Sequence, residues 1–105
     1  MNDISVRSFT TFSYILSFRK DLGPYRTIIY GSCSSHGMKP ITTFQECNNA
    51  AKALGLEAVT ASEKASGHYP EGCFRHGPYL WLSTNPANKG NGADHRNKPI
   101  CKLAG

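Results

Sequence analysis

Residues 43–55, TFQECNNAAKALG, carry the clearest structural signal in this chain of 105 residues. Thr43 and Glu46 stand three positions apart, as in a capping box, which predicts that a helix begins at this point. Apolar residues then recur at helical spacing, and Gly55 stands where a glycine commonly follows the end of a helix. The pattern predicts a helix of about 11 residues with Cys47 on its buried face.

Four cysteines at wide spacing predict two disulfide bonds; they are Cys33, Cys47, Cys73 and Cys101. A domain this small buries only about 60% of the surface that its unfolded chain exposes, so cross-links add an important part of its stability. Four cysteines allow three pairings. We favour Cys33–Cys101, which joins the opening strand to the closing strand, and Cys47–Cys73, which joins the helix to the sheet.

The remaining segments predict short strands and loops around the helix. Strands are expected at 25–30, 56–61, 72–75 and 79–83, with a closing edge strand at 99–103, and loops are expected at 34–40, 62–69 and 85–98. This order predicts an α+β fold in which one helix packs on a small antiparallel sheet. Residues 1–24 show no clean period and are predicted to form a poorly ordered N-terminal arm, so the module spans residues 25–105.

The helix and its cysteine, in the form Thr43-x-x-Glu46-Cys47-x-x-Ala50-Ala51, resemble the PAN/apple module of extracellular proteins. The resemblance covers about residues 30–103. It implies a central disulfide from helix to strand and, in the apple branch, a second disulfide that joins the ends.

A longer pattern is similar to a cysteine module in predicted proteins of marine algae and dinoflagellates. This second resemblance implies a secreted or surface setting and supplies no catalytic residue. Its residues are Pro40-Ile41-Thr42, Glu46-Cys47, Ala50-Ala51, Leu54-Gly55-Leu56, Tyr69-Pro70-x-Gly72-Cys73, Leu80-Trp81, Asn85 and Pro99-Ile100-Cys101-Lys102.

Charge and hydropathy argue against two classes of partner. The net charge of +5 is spread along the chain, and the one basic run, Arg96 to Lys102, contains no aromatic residue for base stacking. We therefore expect no nucleic-acid partner. The longest apolar stretches are far shorter than the roughly 20 residues that span a bilayer, so we expect no membrane insertion.

The main alternative to disulfides is a small zinc-binding domain. Cys33 with His36, and Cys73 with His76, form two C-x-x-H pairs that could supply a tetrahedral Cys₂His₂ site. This spacing is unusual for structural zinc, and it leaves Cys47 and Cys101 without a role. We therefore favour disulfides and expect no cofactor.

The sequence predicts no enzyme. If all four cysteines are bonded, no thiolate remains as a nucleophile. The chain also contains no serine nucleophile elbow, no paired-carboxylate signature and no phosphate-binding glycine loop.

A binding surface is predicted where loops 62–69 and 85–98 flank the strands. Alternation along 79–82 puts Tyr79 and Trp81 on one face and the two leucines on the other, and either pair could be the core. If the leucines are core, the aromatic residues form an exposed patch. The expected ligand-binding residues are Tyr69, Arg75, Tyr79, Asn85, His95 and Arg96.

Together these features predict a non-enzymatic extracellular binding or adhesion module. Its ligand is expected to be a protein or a carbohydrate. The chain is expected to be secreted or displayed on a cell surface, as one part of a larger multi-module protein.

Overall fold

The computed structural model describes residues 23–104, which form one α-helix, six β-strands and two short 3-10 helices. The predicted arm falls mostly on residues 1–22, which lie outside the described residues. In chain order the elements are β1 (Tyr25–Thr27), a first 3-10 helix (Ser34–His36), β2 (Met38–Pro40), α1 (Phe44–Ala53), β3 (Ser62–Lys64), β4 (Cys73–His76), β5 (Tyr79–Ser83), a second 3-10 helix (Pro86–Asn88) and β6 (Asn97–Leu103). The fold is α+β, as the sequence predicts.

The sheet is larger than predicted and is mixed rather than antiparallel. Its strand order is β1-β6-β4-β5-β3, and β2 also pairs with β6. One pair is parallel: Ser62 of β3 lies opposite Trp81 of β5, and Lys64 lies opposite Ser83. The chain reverses direction twice between these strands, once after β3 and once in the β4–β5 hairpin, so β5 runs in the same direction as β3.

The prediction of an edge strand at 99–103 is wrong, because β6 is central. It pairs with β1 along Ile100 to Lys102, with β2 along Cys101 to Leu103 and with β4 along Asn97 to Pro99. β2 itself lies in a segment predicted to be a loop. Both differences arise from pairing between segments that are distant in sequence.

The segment 56–61, predicted to be a strand, has no regular structure. Its partly buried Leu56, Ala58 and Val59 pack against the core, so its apolar residues are used without strand pairing. The Ala61 N–H donates to the Asn48 side-chain oxygen on α1, over 2.7 Å. The strand instead begins at Ser62, inside the predicted loop 62–69.

The helix begins as predicted, with Thr43 as its N-cap. The Thr43 hydroxyl accepts from the Glu46 N–H over 3.2 Å. The Glu46 carboxylate does not return to the Thr43 amide; it accepts from Lys102 Nζ on β6 (3.1 Å) and from the Tyr25 hydroxyl on β1 (3.4 Å). Only the threonine half of the predicted capping box is therefore present, and Glu46 connects the helix to the sheet.

The helix ends at a left-handed glycine, also as predicted. Gly55 has φ +71°, its N–H donates to the Lys52 carbonyl, and the Leu56 N–H donates to the Ala51 carbonyl. These two bonds form a Schellman motif.

The main core lies between α1 and one face of the sheet. The buried members of this cluster are Ile41, Cys47, Ala50, Ala51, Cys73, Leu80, Leu82 and Ile100. A second cluster, of Ile28, Cys33 and Cys101 with Met38 against it, lies near β1 and β2. Each cluster contains one disulfide.

The two disulfides are Cys33–Cys101 and Cys47–Cys73, with Cα–Cα distances of 5.6 and 5.5 Å. This is the pairing favoured from the sequence. The zinc alternative with Cys33, His36, Cys73 and His76 is wrong for this bonded form, because both of its cysteines are engaged in different disulfides and no cysteine is free.

Candidate functional site

The register of the β4–β5 hairpin separates two sets of side chains. Phe74 lies opposite Trp81, and His76 lies opposite Tyr79, so these four residues share one face of the sheet. Leu80 and Leu82 point to the other face, toward α1, and are only 4% and 3% exposed, whereas Tyr79 is 60% exposed. Alternation allowed either pair to be the core. The structure places Leu80 and Leu82 in the core, with Tyr79 and Trp81 on the outer face.

The outer face forms a cleft with a volume of about 350 Å³, which we call the aromatic cleft. β3, β4, β5, the segment before β4 and the start of β6 all contribute to it. Its lining residues are Lys64, Tyr69, Phe74, His76, Tyr79, Trp81, Arg96 and Asn97.

Aromatic rings make up the floor and one wall of the cleft. Phe74 is fully buried, and the Tyr69 ring stacks on it with a centroid distance of 5.7 Å and an interplanar angle of 16°. Tyr79 and Trp81 are tilted at 41°, with centroids 6.4 Å apart. Lys64 Nζ lies over this surface, 3.9 Å from the Trp81 ring centroid and 5.1 Å from that of Tyr69. The cleft thus combines flat apolar surfaces with a cation.

A buried asparagine holds the segment that carries Tyr69. Asn88 is 1% exposed, and its Nδ2 donates to the Ser66 carbonyl (2.9 Å) and to Ser83 Oγ (2.6 Å). Its Oδ1 accepts a longer bond from the Tyr69 N–H, over 3.4 Å. Asn91 Nδ2 donates to the Tyr69 carbonyl over 3.0 Å. These contacts attach an irregular segment to the end of β5.

The opposite rim is a turn organised by Asp94. One oxygen of its carboxylate accepts from the N–H groups of Arg96 and Asn97, both over 2.8 Å, and the other accepts from Asn97 Nδ2 over 3.0 Å. Partial burial raises the pKa of Asp94, but these hydrogen bonds and the nearby His95 outweigh it and leave the pKa below its ordinary value.

The same turn fixes the tautomer of His76. Because Asn97 Nδ2 donates to a carboxylate, its side-chain oxygen is the atom that faces His76 Nδ1, over 2.9 Å. An amide oxygen only accepts, so Nδ1 carries the proton and Nε2 of the neutral ring is an acceptor.

Three of the six predicted ligand-binding residues meet in the aromatic cleft: Tyr69, Tyr79 and Arg96. Arg75 lies on the opposite face, where it lines a separate pocket of about 310 Å³ with its Nε buried and without a hydrogen-bond partner. Asn85 caps the second 3-10 helix by accepting from the Ala87 N–H. His95 is exposed and is not among the residues that line the cleft.

Five cleft residues were not among the predicted ligand-binding residues: Lys64, Phe74, His76, Trp81 and Asn97. Lys64 lies in the segment predicted to be a loop, and the sequence offered no reason to place it beside Trp81. His76 drew attention only as a possible zinc ligand. Strand alternation was the signal that could have placed His76 in the cleft, because residues two positions apart in a strand, such as Phe74 and His76, lie on the same face.

No known protein family, curated protein or solved structure matches this chain. The resemblance to PAN/apple and algal modules therefore stays a prediction. Over residues 23–104, no helix is long and apolar enough to cross a membrane.

Proposed function

We propose that this chain is a non-enzymatic extracellular binding module that recognises carbohydrate through the aromatic cleft. The observation that carries the proposal is the convergence of Tyr69, Tyr79 and Trp81 on one open cleft. Sugar rings present flat faces of C–H groups that stack on aromatic side chains, while their hydroxyl groups need hydrogen-bond partners at the edges. Arg96 supplies donors there and His76 a ring nitrogen.

The dimensions of the cleft favour a glycan over a folded protein surface. Its volume of about 350 Å³ is near the lower end of the roughly 300–1,000 Å³ typical of ligand pockets. Such a space suits one or two sugar residues, whereas a stable protein interface covers about 800 Å² on each partner. A protein ligand would have to use the cleft as one anchor point within a larger contact.

The disulfides support the extracellular part of the proposal. Bonds such as Cys33–Cys101 and Cys47–Cys73 form and persist in oxidising compartments and are rare in reducing ones. A role in adhesion, as one unit of a larger multi-module protein, is consistent with a small stapled domain that presents an open cleft.

Trp81 offers a direct test, because it is the only tryptophan in the chain. Its fluorescence reports on the cleft alone. We expect intensity or wavelength changes when soluble oligosaccharides of varied composition are titrated. Tyr79→Ala keeps the probe and should weaken binding at least about fivefold if Tyr79 is an anchor. Phe44→Ala, which removes a partly exposed aromatic ring on the helix instead, should leave the affinity unchanged.

The opposite results would refute the proposal. If no oligosaccharide in a broad panel changes the fluorescence of Trp81 at millimolar concentration, carbohydrate is the wrong ligand class. If one binds with equal affinity to wild type and Tyr79→Ala, the aromatic cleft is the wrong site. Recovery of a protein that binds only wild type, and not Tyr79→Ala, would assign the cleft to a protein partner.

A further inference from the structure

The charged side chains that line the aromatic cleft all have the same sign. Lys64 and Arg96 are cationic, and none of the eight lining residues is Asp or Glu. Two carboxylates close in sequence to these cations form their hydrogen bonds with other groups: Asp94 accepts from the N–H groups of its own turn, and Glu63 accepts from the Thr84 hydroxyl over 2.7 Å. The cleft is therefore an electropositive site with aromatic walls.

Lys64 occupies the surface on which a sugar would stack. Its Nζ lies over the Trp81 ring, 3.9 Å from the centroid, in a cation–π contact. A ligand that stacks on Trp81 has to move this ammonium aside. For a neutral sugar the displacement is a loss, because the cation–π contact is broken and no new charge pair forms.

An anionic sugar reverses that balance. We infer that the aromatic cleft selects acidic sugars, whose carboxylate or sulfate group pairs with Lys64 after it leaves the Trp81 ring. The inference rests on the proposed function and adds the chemical class of the ligand. Arg96, exposed on the opposite rim, supplies a second cation whose planar fork matches the same oxyanion groups.

The backbone at Lys64 is held by hydrogen bonds, so the motion requires a change in the side chain alone. The Lys64 carbonyl accepts from the Thr84 N–H over 3.1 Å, and β3 is paired with β5. The four-carbon stem can therefore move the ammonium from the ring to a ligand without displacing the strand.

The test compares pairs of ligands that share a sugar backbone, one member charged and the other neutral. We would titrate oligogalacturonate against its fully methyl-esterified form, and dextran sulfate oligosaccharides against dextran, following the fluorescence of Trp81. Wild type should bind the charged member of at least one pair about tenfold more tightly or better, and the preference should shrink as salt is raised. The two pairs distinguish a carboxylate from a sulfate ligand.

Two substitutions of Lys64 assign the preference to its charge. Lys64→Met keeps the stem and should remove most of the preference, with affinity for the neutral members unchanged or higher. Lys64→Arg keeps the charge and should keep the preference. A preference retained in Lys64→Arg shows that substitution at this position does not abolish binding by misfolding. Lys52→Met is the matched control, since Lys52 is an exposed lysine of α1, on the other side of the sheet.

Three results would overturn the inference. Equal affinity for charged and neutral members, with both sensitive to Tyr79→Ala, would refute it while leaving the proposed function intact. A full preference in Lys64→Met would show that Lys64 does not select the ligand. Failure of all four probes to bind would refute this inference, and the proposed function is refuted with it only if the broad oligosaccharide panel also fails to bind.

Discussion

Replacement of Asn88 by alanine should destabilise the domain and loosen the wall of the aromatic cleft. The Asn88 side chain is buried, and its two short hydrogen bonds reach the Ser66 carbonyl and Ser83 Oγ. Its longer bond reaches the Tyr69 N–H. These contacts join the segment before β4 to the end of β5, so their loss acts on both stability and the position of Tyr69.

The magnitude follows from the two short bonds. Each intramolecular hydrogen bond contributes about 1 kcal/mol net, and the bond of 3.4 Å from the Tyr69 N–H contributes little. We therefore expect Asn88→Ala to lower the free energy of unfolding by about 2 kcal/mol, which corresponds to a fall in Tm of about 8–16 °C for a domain of this size. Asn88→Asp keeps the shape but removes both donors, so it should be at least as destabilising.

Thermal and urea melts of the purified variants measure this effect. Asn49→Ala is the matched control, because Asn49 is an exposed asparagine of α1, and it should change the unfolding free energy by less than about 0.5 kcal/mol. A loss in Asn88→Ala no larger than in Asn49→Ala would refute the reasoning. It would show that water replaces the Asn88 hydrogen bonds at no cost.

Other substitutions test separate parts of the fold. Gly72→Ala should destabilise the domain far more than Gly77→Ala in urea melts. Both glycines have positive φ, but a Cβ at Gly72 would lie 2.5 Å from a backbone carbonyl oxygen, whereas a Cβ at Gly77 would meet nothing within 4 Å. Equal losses would contradict this. Asp94→Asn should lower Tm at pH 7, because folding lowers the pKa of Asp94 and its ionised carboxylate therefore stabilises the folded state. This stabilisation is complete above the unfolded pKa of about 4 and is lost as the pH falls through the folded pKa. A Tm difference between wild type and Asp94→Asn that persists in strong acid would contradict the reasoning. The double variant Cys47→Ala/Cys73→Ala removes a cross-link of separation 26 and should lose about 3.5 kcal/mol of unfolding free energy, and a loss below about 1 kcal/mol would count against the chain-entropy explanation.

Half of the predicted binding residues line the aromatic cleft, and the geometry of a strand explains why Arg75 does not. Tyr69 and Arg96 lie in segments beside the strands, where loop residues were expected to converge. Arg75 is one position from His76, yet strand alternation sends the two side chains to opposite faces. Which face was the core depended on where α1 packs, and alternation alone left that choice open.

The sequence by itself determined the helix, its ends and the place of Cys47 on its buried face. Thr43, Gly55 and the spacing of Cys47 act through contacts three to five residues apart, so the local pattern was sufficient. Only the tertiary structure decided the mixed sheet, the central position of β6 and the placement of Lys64 over Trp81. Helical hydrogen bonds join near neighbours in sequence, whereas a strand's position and the surroundings of its side chains depend on partners that are distant along the chain.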